Sequence, residues 1–352
     1  MQDETIDIHG QTLLVTGAAG FIGSRVVRLL LGAEQQPSKV IGLDSLNDYY
    51  SPQLKRARLA QLADAALESD CAWRFVQADI ADRAALEAVF ADYRPSLVIH
   101  LAAQAGVRHS IECPQAYIDS NILGFFHLLE ACRHHPVRHL VYASSSSVYG
   151  DSHKQPYAEH DRTDSPVSLY AATKKCDELL AAAYASLYRI PATALRLFTV
   201  YGPWGRPDMA CIRFADRMTA GEDIPLFADG QGRRDFTYID DTASGILRVL
   251  ARPPQGLPPH QVLNLGHGHP VTVRQFVAEL HDALAAAGAL PDGYDLSAHL
   301  QSLPAQPGDV EATFADTAAL ERLCGHRADT PLSEGLRRFA DWYVRWWLPN
   351  RS

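Results

Sequence analysis

Through residues 12–198 short apolar runs alternate with longer segments of helical periodicity. The runs are TLLVT at 12–16, KVIGLD at 39–44, WRFVQADI at 73–80, SLVIHLAA at 96–103, HLVYAS at 139–144 and ATALRLF at 192–198. Strands alternating with helices of this length predict a parallel sheet built from right-handed crossovers, hence a doubly wound α/β fold. Beyond residue 199 proline and glycine become frequent and the rhythm breaks, through GPWGRPD, LFADGQGRRDFTYIDD, RPPQGLPPH and LPAQPGDVEATFAD. This predicts a smaller, loop-rich α/β lobe over 199–352. HQVLNLG at 260–266 reads as another strand, so a segment of about 238–268 is expected to return to the first lobe, 1–198, leaving the two interleaved. ALAAAGAL is mildly low in complexity, and no internal repeat is evident.

Open parallel sheets bind ligands outside the carboxyl ends of their strands. That edge receives Gly17, Asp44, Asp79 and Ile80, the run Leu101, Ala102, Ala103 and Gln104, Ser144–Ser147 and Leu197–Thr199. The segment TLLVTGAAGFIGSRVVRLLL is a strand, a turn bearing Gly17, Gly20 and Gly23, and an amphipathic helix opening at Phe21 and Ile22. Gly17 permits the tight turn, Gly20 lets the backbone approach a pyrophosphate, and Gly23 allows close helix packing, with the anion on the helix N-terminus. The spacing is GxxGxxG, not GxGxxG, but its context fits a Rossmann-like dinucleotide site. Asp44 ends the second strand, where a carboxylate accepts from a ribose 2′-hydroxyl and repels a 2′-phosphate, so NAD is expected rather than NADP. The alternative for Asp44 is a loop residue capping the next helix.

Composition narrows the class. A chain of 352 residues, 47% hydrophobic, can bury a large core and exceeds one typical domain. Net charge is −9 without a lysine- or arginine-rich block, which argues against nucleic acid as a partner. No apolar run reaches the eighteen or so residues of a membrane span, and MQDETIDIHG lacks the basic and apolar parts of a signal peptide, so a cytoplasmic protein is expected. The cysteines at 71, 113, 132, 176, 211 and 324 form no CxxC pair and are taken as reduced. The fifteen histidines show no HExxH or Cys/His grouping, and no metal is expected.

The densest chemistry lies between Ser144 and Lys174. SSSSVYG at 144–150 precedes Tyr170-x-x-x-Lys174 within SLYAATKKCDELLAAAY. Residues four apart share a helix face, and a lysine ammonium there favours the phenolate of the tyrosine, which makes Tyr170 a candidate base. The serine run alone could be a strand-to-helix turn rich in capping residues.

TGAAGFIG, LD at 43–44, ADI, HLAAQAGVRHS, YASSSSVYG, SLYAATK, RLFTVYGPWGRPDMA, RRDFTYIDD and PGDV follow in order along almost the whole chain. Together they resemble the extended short-chain dehydrogenase/reductase superfamily. AGVRHS and FTVYGPWGRPDMA narrow the resemblance to the UDP-glucuronate 4-epimerases. This resemblance implies tightly bound NAD regenerated each cycle, a UDP-sugar substrate, and a homodimer whose interface comes from helices within 114–135 and 168–188. It implies Tyr170 as base at the sugar 4-hydroxyl, Lys174 on the nicotinamide ribose and Ser145 on the reacting oxygen. Related dehydratases and decarboxylases carry an acidic residue just before VYG, where this chain has Ser146 and Ser147, also expected near the substrate. That difference favours epimerisation. A 4-keto uronic acid is a β-keto acid, so its carboxylate must be restrained. Arg206 and Thr199 are assigned to it, with Arg108 a further candidate; either arginine could instead be a surface side chain. Arg234 is expected on the diphosphate and Asp309 on the uridine ribose. Departures from the galactose-epimerase pattern, Gln306-Pro307 before the GD and Thr199, weaken UDP-galactose as substrate. Small Thr313 leaves UDP-N-acetylglucosamine open, a decarboxylase is the other enzymatic alternative, and a non-catalytic NAD-binding regulator is the alternative of a different class.

Overall fold

The computed structural model describes residues 5–304 and 312–351. Seven parallel strands form its central sheet: β1 (Thr12–Thr16), β2 (Lys39–Asp44), β3 (Ala72–Gln77), β4 (Leu97–His100), β5 (His139–Ser145), β6 (Ala192–Leu197) and β7 (His260–Leu265). Their order is β7-β6-β5-β4-β1-β2-β3, with Thr16 opposite His100 and Leu197 opposite Leu265. The chain therefore leaves β1 toward one edge for β2 and β3, then crosses back to β4. This reversal opens a crevice between the ends of β1 and β4, where open α/β sheets place their ligands.

Side chains alternate across each strand, so each face carries its own core. Leu13, Val15, Val141 and Leu195 face helices α1 (Phe21–Leu31) and α7 (Ile239–Leu250), against Val26, Leu30, Ile246 and Val249. Leu14, Val98, Leu140 and Ala194 face the opposite layer, α3 (Arg83–Tyr93), α4 (Phe125–His134) and α5 (Leu169–Tyr188), against Phe90, Phe125, Leu128 and Ala181. The remaining long helices are α2 (Pro52–Leu67), α6 (Ala210–Ala220), α8 (Val273–Ala286) and α9 (Leu332–Trp342).

The later part of the chain is more regular than its proline and glycine content predicts. Phe276, Leu280, Leu336 and Phe339, all fully buried, pack α8 and α9 into a second core with Ile212 and Met218 of α6. Its strands are two to four residues long, too short for the periodicity on which the sequence reading rests. Thr199–Tyr201 pairs with Phe236–Tyr238, and Arg233–Arg234 lies between Val271–Thr272 and Ala312–Thr313. Both pairings lie downstream of β6, and of their residues Thr199 and Val200 reach the crevice.

Candidate active site

The glycine turn is built by contacts that only glycine permits. Gly17 has φ +70°, and a Cβ there would lie 2.7 Å from the Ala102 amide nitrogen after β4. A Cβ on Gly23 would lie 2.0 Å from the Gly17 carbonyl oxygen, so Gly23 lets α1 start directly on the turn. Gly20 precedes α1 without any side-chain cap, and the first amides of the helix are left for a ligand. Asp44 is buried at the end of β2. One carboxylate oxygen accepts from the Ala19 amide at 3.1 Å and the other from Leu46 at 2.9 Å, which holds the group beside the turn. An uncapped helix start, a close backbone turn and an oriented carboxylate suit a dinucleotide's pyrophosphate and ribose.

Ser168 caps α5 by accepting from the Ala171 amide at 3.1 Å, which sets Tyr170 and Lys174 one turn apart near its start. Lys174 is buried; its Nζ donates to the Ala143 carbonyl at 3.0 Å and pairs with Asp177 at 3.1 Å. Burial pushes the Asp177 carboxyl up to about 6, with Lys174 working against it. Tyr170 is half-buried, its ring edge-on to Tyr117 at 6.1 Å. Ser145 ends β5 and accepts from the Ser147 amide at 3.2 Å, capping a single turn over Ser146–Tyr149. Ser144 instead faces inward, donating to Glu178, which is bound by Arg196 through two contacts of 2.8 and 2.9 Å.

One cleft runs from the glycine turn past Asp44, Asp79, Ile80 and Leu101–Gln104 to Ser145, Tyr170, Lys174, Thr199 and Arg206; Phe21, Ile22 and Gly23 also line it. Arg108, Ser146, Ser147 and Arg234 lie outside this lining. The Arg108 guanidinium sits 5.8 Å from the Phe227 ring centre, and Arg234 donates to the Arg233 carbonyl at 2.9 Å. Asp309 lies outside the described residues, as do Gln306 and Pro307. Arg206 meets Asp208 through two contacts of 3.0 Å, and Tyr49 donates to the same carboxylate at 3.3 Å. Burial opposes the Arg206 charge, but Asp208 outweighs it and holds the guanidinium above its ordinary value. Burial and the Asp208 charge push the Tyr49 phenol up to about 12.

Several structural contributors were absent from the sequence reading. Lys55 lines the cleft and donates to Asn47. Asn121 bonds the backbone of Gln104 through contacts of 2.8 and 3.1 Å and reaches Thr173 at 3.0 Å, tying the loop after β4 to α5. The sequence signal for Lys55 was the polar, aromatic run NDYYSPQLK, which begins three residues after Asp44. Nothing local distinguishes Asn121. Among the described residues there is no cluster of three or more potential metal ligands, and no helix is long and apolar enough to cross a membrane.

A doubly wound sheet with a glycine turn, a carboxylate after its second strand and a Tyr/Lys pair in the same cleft defines a dinucleotide-binding protein of the Tyr-Lys type. The family model described as NAD dependent epimerase/dehydratase family matches residues 13–266, and the chain belongs to that family. A probable UDP-glucuronate 4-epimerase of Rhizobium meliloti (strain 1021) is 41% identical over 345 residues, spanning 94% of this chain and 96% of the relative. The crystal structure of a UDP-glucuronic acid 4-epimerase from Bacillus cereus, in complex with UDP-glucuronic acid and NAD, is similar with TM-score 0.82 and 32% identity over 95% of this chain and 99% of that one. A dTDP-glucose 4,6-dehydratase from Streptomyces venezuelae, with NAD bound, has the same TM-score of 0.82 at 30% identity, over 97% of this chain and 98% of its own. The backbone alone therefore does not choose between the two reactions; side chains must.

Proposed function

We propose that this chain is an NAD-dependent UDP-glucuronate 4-epimerase acting in the cytoplasm. The observation that carries the reading is that Tyr170, Lys174, Ser145, Thr199 and Arg206 line the same cleft as the glycine turn and Asp44. Bound NAD would accept and return the hydride of the sugar's C4. Tyr170 takes the proton of the 4-hydroxyl and later gives it back, and the Ser145 hydroxyl bonds the same oxygen. Lys174, held by the Ala143 carbonyl and Asp177, is assigned to the nicotinamide ribose. Arg206 binds the uronate carboxylate with charge-assisted hydrogen bonds and Thr199 adds a hydroxyl, which restrains the β-keto acid from losing carbon dioxide. Ser146 and Ser147 offer no carboxylate for the elimination that a dehydratase performs. Arg234 is assigned to the diphosphate, Asp309 to the uridine ribose, and Arg108 is a further candidate for the carboxylate.

Incubating the purified protein with UDP-glucuronate, without added NAD, tests this reading. An equal-mass product resolved by chromatography is expected. A product lighter by carbon dioxide would make the chain a decarboxylase, and conversion of UDP-N-acetylglucosamine alone would move the substrate to the N-acetylhexosamines, the alternative that the family resemblance at Thr313 leaves open.

The same reading includes a homodimer. Leu123 and Phe126 on the 118–134 segment and Leu179, Leu187 and Tyr188 on α5 are exposed, at 41, 38, 60, 70 and 40%. Tyr184 links the two helices through its ring contact with Phe126 at 6.5 Å, and meets Tyr188 on its own helix at 5.2 Å. Burying such a surface against its symmetry copy gives a four-helix interface. Sedimentation should show a dimer and Leu179→Glu a monomer; a monomeric parent protein would discard the interface.

A further inference from the structure

Arg206 sits in a short loop that two other residues hold. Asp208 takes the Nε and Nη2 edge of its guanidinium, at 3.0 Å for each contact, and Nη1 has no hydrogen-bond partner among the described residues. A guanidinium has a second carboxylate-matching edge, Nη1 with Nη2, so this pairing leaves one edge open. The backbone just before Arg206 is held by Arg58, a buried guanidinium on α2. Arg58 donates to the Trp204 carbonyl at 2.6 and 3.1 Å and to the Gly205 carbonyl at 3.0 Å. It also reaches the Ala19 carbonyl in the glycine turn at 3.0 Å and the Tyr50 hydroxyl at 2.6 Å. Trp204 has φ +65°, a left-handed conformation costly for an aromatic residue that persists only where its surroundings enforce it. Neither Asp208 nor Arg58 lines the cleft, and Arg206 does.

We propose that Asp208 and Arg58 are positioning residues that preorganise Arg206, the one fixing the plane of its guanidinium and the other the strained turn that carries it, so that one edge meets a carboxylate on the substrate. The inference rests on the reading of Arg206 as the uronate clamp. A long side chain already held in place loses little freedom when the ligand arrives, which is worth about tenfold in affinity. The opposing effect, repulsion between Asp208 and the substrate carboxylate, is weakened because the guanidinium lies between them and both side chains are partly exposed to water, at 24% for Arg206 and 37% for Asp208. Positioning should therefore outweigh repulsion.

Calorimetric binding of UDP-glucuronate and UDP-glucose to Tyr170→Phe holoenzyme, which cannot turn over, separates these effects. In that background Asp208→Ala should weaken UDP-glucuronate about tenfold, with UDP-glucose changed less than about twofold and bound NAD unchanged. Asp208→Glu should recover most of the loss. Arg58→Lys, which keeps the charge but not the planar fork, should also erode the uronate preference. If Asp208→Ala does not fold, Asp208→Asn carries the test at constant volume. Tighter or unchanged UDP-glucuronate binding would make Asp208 a competitor or a bystander, and equal weakening of both ligands would make it merely structural; each overturns the proposal. Failure of the clamp reading looks different. There the Tyr170→Phe protein shows no uronate preference, or keeps it when Arg206→Ala is added.

Discussion

At Tyr170 the ring and the oxygen have separable tasks. The ring packs edge-on to Tyr117, whose hydroxyl donates to the Ala105 carbonyl at 2.8 Å, while the phenolic oxygen is the group assigned to proton transfer. Tyr170→Phe keeps the first and removes the second. Retained NAD, measured on the denatured protein, should be unchanged, and kcat should fall by roughly 10²- to 10⁴-fold, the usual worth of a positioned base. Near-normal turnover would remove Tyr170 from the mechanism. Tyr170 and Lys174 could be picked out in the sequence because local spacing along one helix places them, whereas Ser145 was singled out of its serine run only by the family resemblance. Arg58, Asn121 and Asp208 could not be picked out. The tasks of Arg58 and Asn121 depend on partners far along the chain, Arg58 reaching Trp204 and Asn121 reaching Thr173. Asp208 is two residues from Arg206, yet only the loop's conformation shows that it pairs with it.

Between element and element, the junction of β1, the glycine turn and α1 was legible because its residues are constrained by backbone, not by side-chain partners. The three glycines are not equivalent. A Cβ on Gly20 would meet the Gly17 carbonyl oxygen at 2.9 Å, which obliges the backbone of the turn to shift, whereas on Gly23 it would come within 2.0 Å of the same oxygen and 2.8 Å of the carbonyl carbon, a far deeper overlap. Gly23→Ala should therefore move α1 off the turn, lowering Tm and NAD content sharply, and Gly20→Ala should do so less. Equal losses in the two variants would contradict this packing. The seven sheet strands were legible because each is four to seven residues long and carries at least two adjacent apolar residues. The later pairings escaped because a strand as short as Arg233–Arg234 has no period to detect; register there is set by tertiary neighbours.

Across the whole molecule, buried titratable groups make folding depend on pH. His139 joins three parts of the core: its Nδ1 bonds the Leu250 carbonyl at the end of α7 at 2.9 Å, and its Nε2 bonds the Thr193 hydroxyl on β6 at 2.8 Å. Burial lowers its pKa to about 4 and that of His100 to about 3. A histidine depressed in the folded state stabilises above its unfolded value of about 6.5, and that stability is lost as pH falls toward the folded value. For His139 the loss amounts to about 3 kcal/mol, and His100 contributes a similar amount by pH 4. Asp177 has the opposite sign. With its pKa raised to about 6, the folded state takes up a proton before the unfolded one does, and stability rises by about 3 kcal/mol as pH falls from 6 to 4. Asp177 offsets one histidine, so these three groups leave a net loss of roughly 3 kcal/mol between pH 6.5 and 4. His260, His267 and His326, also lowered by burial, act in the same direction, and the urea midpoint should fall. His139→Gln, less stable than the parent at pH 7, should lose less on acidification because it has no proton to take up. A variant whose midpoint fell as steeply as the parent's would show that His139 does not stay neutral inside the fold.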